Sequence, residues 1–199
     1  MTARCCWAVA AAVVLCGCGG EARREAVGLG KILSQDRAGF AAANAQEKDL
    51  VTATRGWTEA IVSGGAGTGQ QLAQNASVAS DLAKSAEGIS AQLGQMRQAI
   101  YDQALQQEFP QSVRSTLITG LTKRQRLLQD LRAALAESAA QFNELRQMRD
   151  YKGDSYPTAI DKLSRILQGY TGPTDVIGDA LGSLKEKYGL AEADLLAGV

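Results

Sequence analysis

The sequence predicts an all-α fold: an elongated antiparallel helical bundle of three long helices plus a broken fourth arm. Three observations lead to this prediction. Apolar residues recur at intervals of three and four along most of the chain, clusters of glycine and proline separate these runs, and no run of β-branched or aromatic residues alternates as a strand does. Aromatic residues make up only 5% of the chain, which argues against an aromatic-rich architecture.

The first predicted helix has an apolar seam that runs from Leu29 to Ile61. Polar residues interrupt this seam at core-facing positions, namely Asp36, Glu47 and Thr54. Four glycines between residues 64 and 69 end the helix, because glycine is unfavourable in a helix interior. Such a glycine run can also cradle a phosphate, but it lacks the lysine and the serine or threonine of a phosphate loop. An interhelical turn is therefore predicted.

Two further seams predict the second and third helices. The second seam runs from residue 72 to residue 100 and is expected to stop near Phe109 and Pro110, because proline cannot continue a helix interior. The third seam runs from residue 117 to residue 145. An antiparallel pairing of these two helices would bury Leu93 and Leu131, whereas Gln98 and Gln125 are predicted to lie off the seams.

The predicted fourth arm is interrupted by a turn. A turn at residues 153–157 leads into a helix whose apolar face includes residues 160, 163 and 167, and a second glycine and proline cluster interrupts the chain at residues 169–173. The helical spacing then resumes at Ile177 and stops at Gly189, a predicted C-terminal cap. A short last helix is expected over residues 191–197.

The composition narrows the classes of function. Lysine plus arginine and aspartate plus glutamate number 21 each, so the chain lacks the basic excess of a typical nucleic-acid-binding protein. The chain contains no histidine, which excludes imidazole metal ligands and triads of the Ser-His type. We therefore predict no nucleic-acid partner, no cofactor, no metal site and no catalytic residue.

The amino terminus has the layout of an export signal. All four cysteines lie within the first 18 residues, where they cannot form a disulfide framework for the remaining chain. Arg4 precedes an apolar stretch over residues 7–15, which is too short to be a permanent membrane span. The segment Leu15-Cys16-Gly17-Cys18 resembles the lipobox of bacterial lipoprotein precursors. The resemblance implies that Cys18 is the lipidated residue; an ordinary cleaved leader is the alternative.

This resemblance leads to a domain plan and a location. Residues 1–17 would be the lipoprotein signal peptide, residues 18–30 the lipidated cysteine with a flexible tether, and residues 31–199 the helical bundle domain. Lipidated Cys18 would anchor the protein to a membrane of a bacterial cell envelope. In the sorting rule of enteric lipoproteins, Gly19 after that cysteine is similar to an outer-membrane address, with the protein facing the periplasm.

Three groups of residues are candidate functional sites. Asp36 and Glu47 share the first seam. Either the seam faces solvent at these positions or the two residues set the helix register through polar contacts, and both interpretations explain them better than a metal site. The basic residues Lys123, Arg124 and Arg126 form either an intramolecular contact or a docking patch for an acidic partner. Four of the five tyrosines lie in the last quarter of the chain, where they either pack normally or line a ligand pocket: Tyr151, Tyr156, Tyr170 and Tyr188.

These features support two hypotheses of function. The first is a lipid-anchored envelope protein that acts as a helical structural or protein-interaction module, with a protein partner in the envelope. The alternative is a small-ligand-binding or sensory helical module that uses the C-terminal end of the bundle. No catalytic constellation is visible, so an enzyme is not expected.

Overall fold

A computed structural model of the protein describes residues 5–153 and 156–196, with side chains from Gly19 onward. Within these residues the chain forms six helices and no strand, which confirms the predicted all-α class. Three long helices are followed by three short ones: α1 (Cys5–Gly64), α2 (Gln70–Tyr101), α3 (Glu108–Gln147), α4 (Thr158–Gln168), α5 (Val176–Tyr188) and α6 (Glu192–Leu196). None of the described helices has an apolar stretch long enough to span a membrane.

The glycine run between α1 and α2 is an interhelical turn, as predicted. Gly65 and Gly67 have φ angles of 76° and 73°, which favour glycine over residues with a Cβ atom. Gly65 also lies close to a second loop, because a Cβ atom added to it would come within 2.5 Å of the backbone oxygen of Gly153. These residues therefore form a tight contact between two loops that a larger side chain would disrupt.

The predicted end of the second helix near Phe109 and Pro110 is wrong. The helix α2 ends at Tyr101, and Pro110 lies in the first turn of α3. A proline is compatible with this position because the N–H groups of the first turn have no carbonyl partner within the helix. Proline occurs both after the end of a helix and in the first turn of the next, so Pro110 alone did not show where α2 ends.

The flexible tether predicted for residues 18–30 is also wrong, because the helix α1 continues through this segment. Ala26 and Leu29 are completely buried. The carboxylate of Glu25 accepts hydrogen bonds from the backbone N–H groups of Gln106 and Gln107, at 3.0 and 2.9 Å. These N–H groups directly precede α3, so Glu25 satisfies donors at a helix start and is stabilised there.

The described residues divide into two compact units. The first unit comprises the described residues within 1–39, 96–120 and 175–199, and the second comprises those within 40–95 and 121–174. In the first unit, buried side chains from α1, α3 and α5 form the core, among them Leu33, Leu117 and Leu184. An ion pair of 3.3 Å between Arg23 and Asp194 joins α1 to α6.

The core of the second unit is made of side chains from α1, α2, α3 and α4. Its largest completely buried members include Phe40, Leu93, Leu131 and Phe142. Trp57 packs edge to face against Phe142, with 5.8 Å between the ring centroids. The mid-seam positions predicted for Leu93 and Leu131 are confirmed, but Gln125 is buried, and its Nε2 donates to the backbone oxygen of Ser90 at 3.1 Å.

The segment predicted as a broken fourth arm contains α4, which belongs to the second unit, and α5 and α6, which belong to the first. Gln141 supplies the acceptor for the second N–H of α4, since its Oε1 accepts from the backbone of Ala159 at 3.1 Å. Asp175 caps α5 through a 3.0 Å bond to Gly178, and Gly189 ends it with a φ of 59°, as predicted. The turn predicted at residues 153–157 includes residues 154 and 155, which lie outside the described residues. The last helix was predicted over residues 191–197, of which residue 197 also lies outside them.

Candidate functional site

A buried polar cluster lies in the second unit and joins α1, α3 and the segment after α4. Glu47 of α1 is 1% exposed and pairs with Arg124 of α3, which is 9% exposed. The Nε atom of Arg124 donates to Glu47 Oε2 at 3.0 Å, and its Nη2 contacts the same oxygen. The hydroxyl of Tyr170 donates to Glu47 Oε1 at 3.0 Å. Both oxygens of this buried carboxylate therefore have partners.

Neighbouring groups affect the charge of Arg124 and the pKa of Tyr170. The guanidinium carbon of Arg124 lies 4.9 Å from the centroid of the Phe40 ring, in cation–π contact. Burial raises the pKa of Tyr170 above its ordinary value, and the charge of the Glu47 carboxylate and the hydrogen bond to it raise this pKa further. These effects favour the protonated form of Tyr170, whose hydroxyl donates to Glu47. The cluster fixes the position of the Tyr170 ring.

A cleft of about 340 Å³ lies along α1 and α4 in the same unit, and Tyr170 forms part of its wall. Its volume is at the lower end of the range for small-molecule sites, about 300–1,000 Å³. The guanidinium of Arg55 donates to the backbone oxygen of Leu167 at 3.3 Å, which joins the two helices at the cleft. The lining residues are Arg55, Thr58, Glu59, Ser164, Leu167, Gln168 and Tyr170.

Thr58 is the unusual residue of this cleft. It is 3% exposed, and its Oγ1 has no hydrogen-bond partner among the described residues. Leaving a buried hydroxyl without a partner costs about 1–3 kcal/mol.

The three basic residues that were singled out in the sequence have different roles. Arg124 is buried in the ion pair with Glu47, as the intramolecular interpretation predicts. Lys123 and Arg126 are exposed and lie on other faces of α3. A docking patch made of all three residues is therefore ruled out.

Three of the C-terminal tyrosines, Tyr156, Tyr170 and Tyr188, each have a different partner. Tyr170 contacts Glu47, whereas Tyr156 donates to Asp161 at 3.3 Å. Tyr188 belongs to the first unit and packs edge to face against Phe109, with 5.8 Å between the centroids. Tyr170 alone of these residues lines the cleft described above.

Asp36, the other acidic residue on the first seam, has no comparable partner. Its Oδ2 is buried without a hydrogen bond within the described part of the chain, and burial raises its pKa above the ordinary 3.8. Among the described residues, no three cysteine, aspartate or glutamate side chains are grouped as metal ligands. Asp36 is therefore a carboxylate whose charged form is destabilised by the fold.

Asp36→Asn is expected to stabilise the protein at neutral pH. Because the folded state raises the pKa of Asp36, the contribution of this carboxyl to wild-type stability falls as the pH rises through the window that begins near 3.8. The amide cannot ionise, so the variant should unfold at a higher urea concentration than wild type at pH 7, and this advantage should shrink below pH 3.8.

Asp49→Asn is the control for this experiment, since Asp49 is exposed on the same helix. Its effect should stay within about 0.5 kcal/mol at both pH values. Equal urea midpoints for wild type and Asp36→Asn across the pH range would contradict the prediction.

Part of the site has a signal in the sequence that was not used. Arg124 follows Leu117 and Leu121 at helical spacing, so it occupies a seam position, as Glu47 does on the first helix. Opposite charges on two seams predict a buried pair. Thr58 also lies on the first seam, three residues before Ile61. Arg55, Ser164 and Gln168 carry no signal, because the cleft depends on where α4 packs.

Comparisons with known proteins give no relative for this chain. No family model matches it, and neither a curated protein nor a solved structure is significantly similar to it.

Proposed function

We propose that the protein is a lipid-anchored component of a bacterial cell envelope that acts as a helical structural or protein-interaction module. The observation that carries the proposal is the lipobox-like segment Leu15-Cys16-Gly17-Cys18 at the start of the chain. Lipidated Cys18 would hold the protein at the membrane, with the outer membrane and its periplasmic face as the proposed location. Cys18 itself lies in α1, in the part whose side chains are outside the described residues, and residues 1–4 of the proposed signal peptide are outside them altogether.

The position of the fold relative to Cys18 supports a structural role. Ala26 is buried soon after Cys18 in the sequence, and Arg23 and Glu25 already make contacts within the first unit. An anchored chain would therefore present a folded helical unit next to the membrane surface. The bundle would have little freedom to move away from its anchor.

Cys18→Ala is expected to block lipidation and removal of the leader. The thiol carries the lipid, and the lipoprotein peptidase requires the lipidated cysteine. Mass spectrometry of the membrane fraction should find a lipidated amino terminus at Cys18 in wild type and an unprocessed precursor in the variant. Cys16→Ala is the matched control, since alanine is also small at this position and lipidation should continue.

An unmodified mature chain in the soluble fraction of wild-type cells would contradict the anchoring. The interaction part is tested by chemical cross-linking in intact envelopes. Wild type should form an adduct with another envelope protein, and Cys18→Ala should lose it. A wild-type chain that remains uncross-linked would contradict a role in protein interaction.

A second candidate function, the binding of a small ligand, is favoured by the cleft between α1 and α4. Its support is the volume of this cleft, about 340 Å³, and the Tyr170 ring in its wall, which the bond to Glu47 holds in place. This function agrees with the alternative hypothesis from the sequence, because α4 and Tyr170 belong to the broken fourth arm. It is compatible with anchoring.

A further inference from the structure

A groove between α3 and α5, within the first unit, has an apolar floor. Its volume is about 290 Å³, close to that of the smallest small-molecule sites, about 300 Å³. Val176 packs closely against α3, since a Cβ atom added to Gly120 would lie 3.2 Å from Val176 Cγ1. The apolar lining residues are buried or half-buried and come from both helices: Phe109, Val113 and Leu117 of α3, and Val176 and Ala180 of α5.

Among the described residues that line this groove, Asp179 alone is charged. The other polar lining residues are hydroxyl side chains, namely Ser112, Thr116 and Ser183. Thr116 and Ser183 donate to the backbone oxygens four residues before them, at 3.1 and 2.9 Å. The Asp179 carboxylate is exposed and forms no ion pair or side-chain hydrogen bond within the described part of the chain. The groove thus offers an accessible negative charge beside an apolar surface.

The neighbouring charges leave the Asp179 carboxylate available to a ligand. Asp179 lies in the first turn of α5, where the helix dipole is positive, but the Asp175 carboxylate already caps this end by accepting from the backbone of Gly178 at 3.0 Å. Lys187 is eight residues further on, about 12 Å along the helix axis. Its Nζ lies 5.7 Å from the centroid of the Phe109 ring. Lys187 therefore disfavours a second cation beside Phe109, and a cationic group is favoured at the Asp179 end of the groove.

We propose that this groove binds a small organic cation with an apolar body, whose ammonium group pairs with Asp179 and whose hydrocarbon part lies against Phe109 and Val176. A neutral apolar molecule fits less well, because it would take water from the carboxylate without replacing the lost hydrogen bonds. An anion would be repelled by Asp179, and no basic residue lines the groove among those the structure describes. The proposal is independent of the anchor at Cys18 and of the cleft between α1 and α4.

The test is calorimetric titration of the full chain in a non-ionic detergent, with protein-free micelles as the blank. Phenethylammonium is the probe. Phenylethanol lacks its charge, phenylpropionate reverses the charge, and methylammonium lacks the apolar body. We expect saturable binding of phenethylammonium and binding of each of the other three compounds that is weaker by about fivefold or more, the upper value for an ion pair near the surface.

Two variants locate the site, each with a matched control on the same helix outside the lining. Asp179→Asn removes the charge at nearly constant shape, so phenethylammonium should bind about fivefold more weakly and phenylethanol as before; its control is Glu186→Gln. Ser112→Phe should fill the groove from its rim and abolish phenethylammonium binding, whereas Ser115→Phe should bind as wild type does. All four side chains are exposed, so the variants should remain folded, which circular dichroism checks.

Four results would overturn the proposal. Phenethylammonium binding that folded Asp179→Asn or folded Ser112→Phe leaves unchanged would place the site elsewhere. If any of the three analogues binds as tightly as phenethylammonium, the ligand class is refuted. Binding of a capped peptide of phenylalanine and lysine, without binding of phenethylammonium, would mean that a segment of a partner protein occupies the groove instead. Failure of every probe to bind would refute a cation site at Asp179.

Discussion

Glu47→Ala is expected to lower the free energy of unfolding by about 3–5 kcal/mol, because it leaves the buried charge of Arg124 without its partner. The variant also removes the acceptor of the Tyr170 hydroxyl, so the segment after α4 loses its bond to α1. Urea denaturation followed by circular dichroism measures the change. The loss is expected to be large because both members of the pair are at least nine-tenths buried.

Glu137→Ala is the matched control for this variant. Glu137 pairs with Lys162 at 3.0 Å, but both side chains are about half exposed, and an exposed pair contributes at most about 1 kcal/mol. If Glu47→Ala and Glu137→Ala lower the free energy of unfolding equally, burial of the Glu47–Arg124 pair is not what makes its loss costly.

A double substitution separates the lost pair from the unpaired charge. Glu47→Leu with Arg124→Met replaces both charges by apolar side chains, and such replacements are often neutral or stabilising. The double variant should therefore be more stable than Glu47→Ala. If the double variant is less stable than Glu47→Ala, the unpaired charge of Arg124 is not the main cause of the loss, and the argument from desolvation fails.

The helical parts of the fold were predictable from the sequence because their cause is local. Leucine and alanine at three- and four-residue spacing predicted α2 and α3. The glycines at 64–69 predicted the turn between α1 and α2. The start of α1 was missed because Glu25 and Ala26 are stabilised by residues far away in the chain. The carboxylate of Glu25 accepts hydrogen bonds from Gln106 and Gln107, and no pattern in the neighbouring sequence predicts so distant a partner.

The site was predictable to a smaller extent for the same reason. Glu47 is a polar residue on a predicted seam, and of the two interpretations of its position, a solvent-facing seam and a polar contact, the buried pair agrees with the polar contact. The partner Arg124 was instead grouped with its neighbours Lys123 and Arg126, because adjacency in sequence was read as a shared surface. Adjacent residues of a helix point in different directions, and the seam spacing is the better guide.

Gln125 was misassigned for a related reason. It follows the seam residue Arg124 directly and was predicted to lie off the seam, yet its side chain is buried and donates to the backbone oxygen of Ser90 in α2. Gly94 makes room for this contact, since a Cβ atom added there would lie 2.8 Å from Gln125 Nε2. The width of a buried face depends on the neighbouring helix, which a seam in one helix does not show.

Leu93→Ala and Leu131→Ala are each expected to destabilise the protein by about 2–5 kcal/mol, the usual cost of truncating a buried leucine. Both side chains are 0% exposed in the second unit, on α2 and α3. The loss has two parts, the apolar area returned to water and the cavity left behind. Thermal and urea denaturation of the full chain should show it as a clear fall in both midpoints.

Two glutamine variants calibrate the scale of this effect. Gln98→Ala should change stability by no more than about 0.5 kcal/mol, because Gln98 is exposed and bonds only to Asp102, at 2.7 Å, among the described residues. Gln125→Ala should cost about 1–2 kcal/mol, since it removes a buried side chain and a hydrogen bond. The expected order of loss is therefore leucine, then Gln125, then Gln98. Leucine variants that melt like wild type would mean that these seams are not buried within the chain, and the bundle would then require a second chain to cover them.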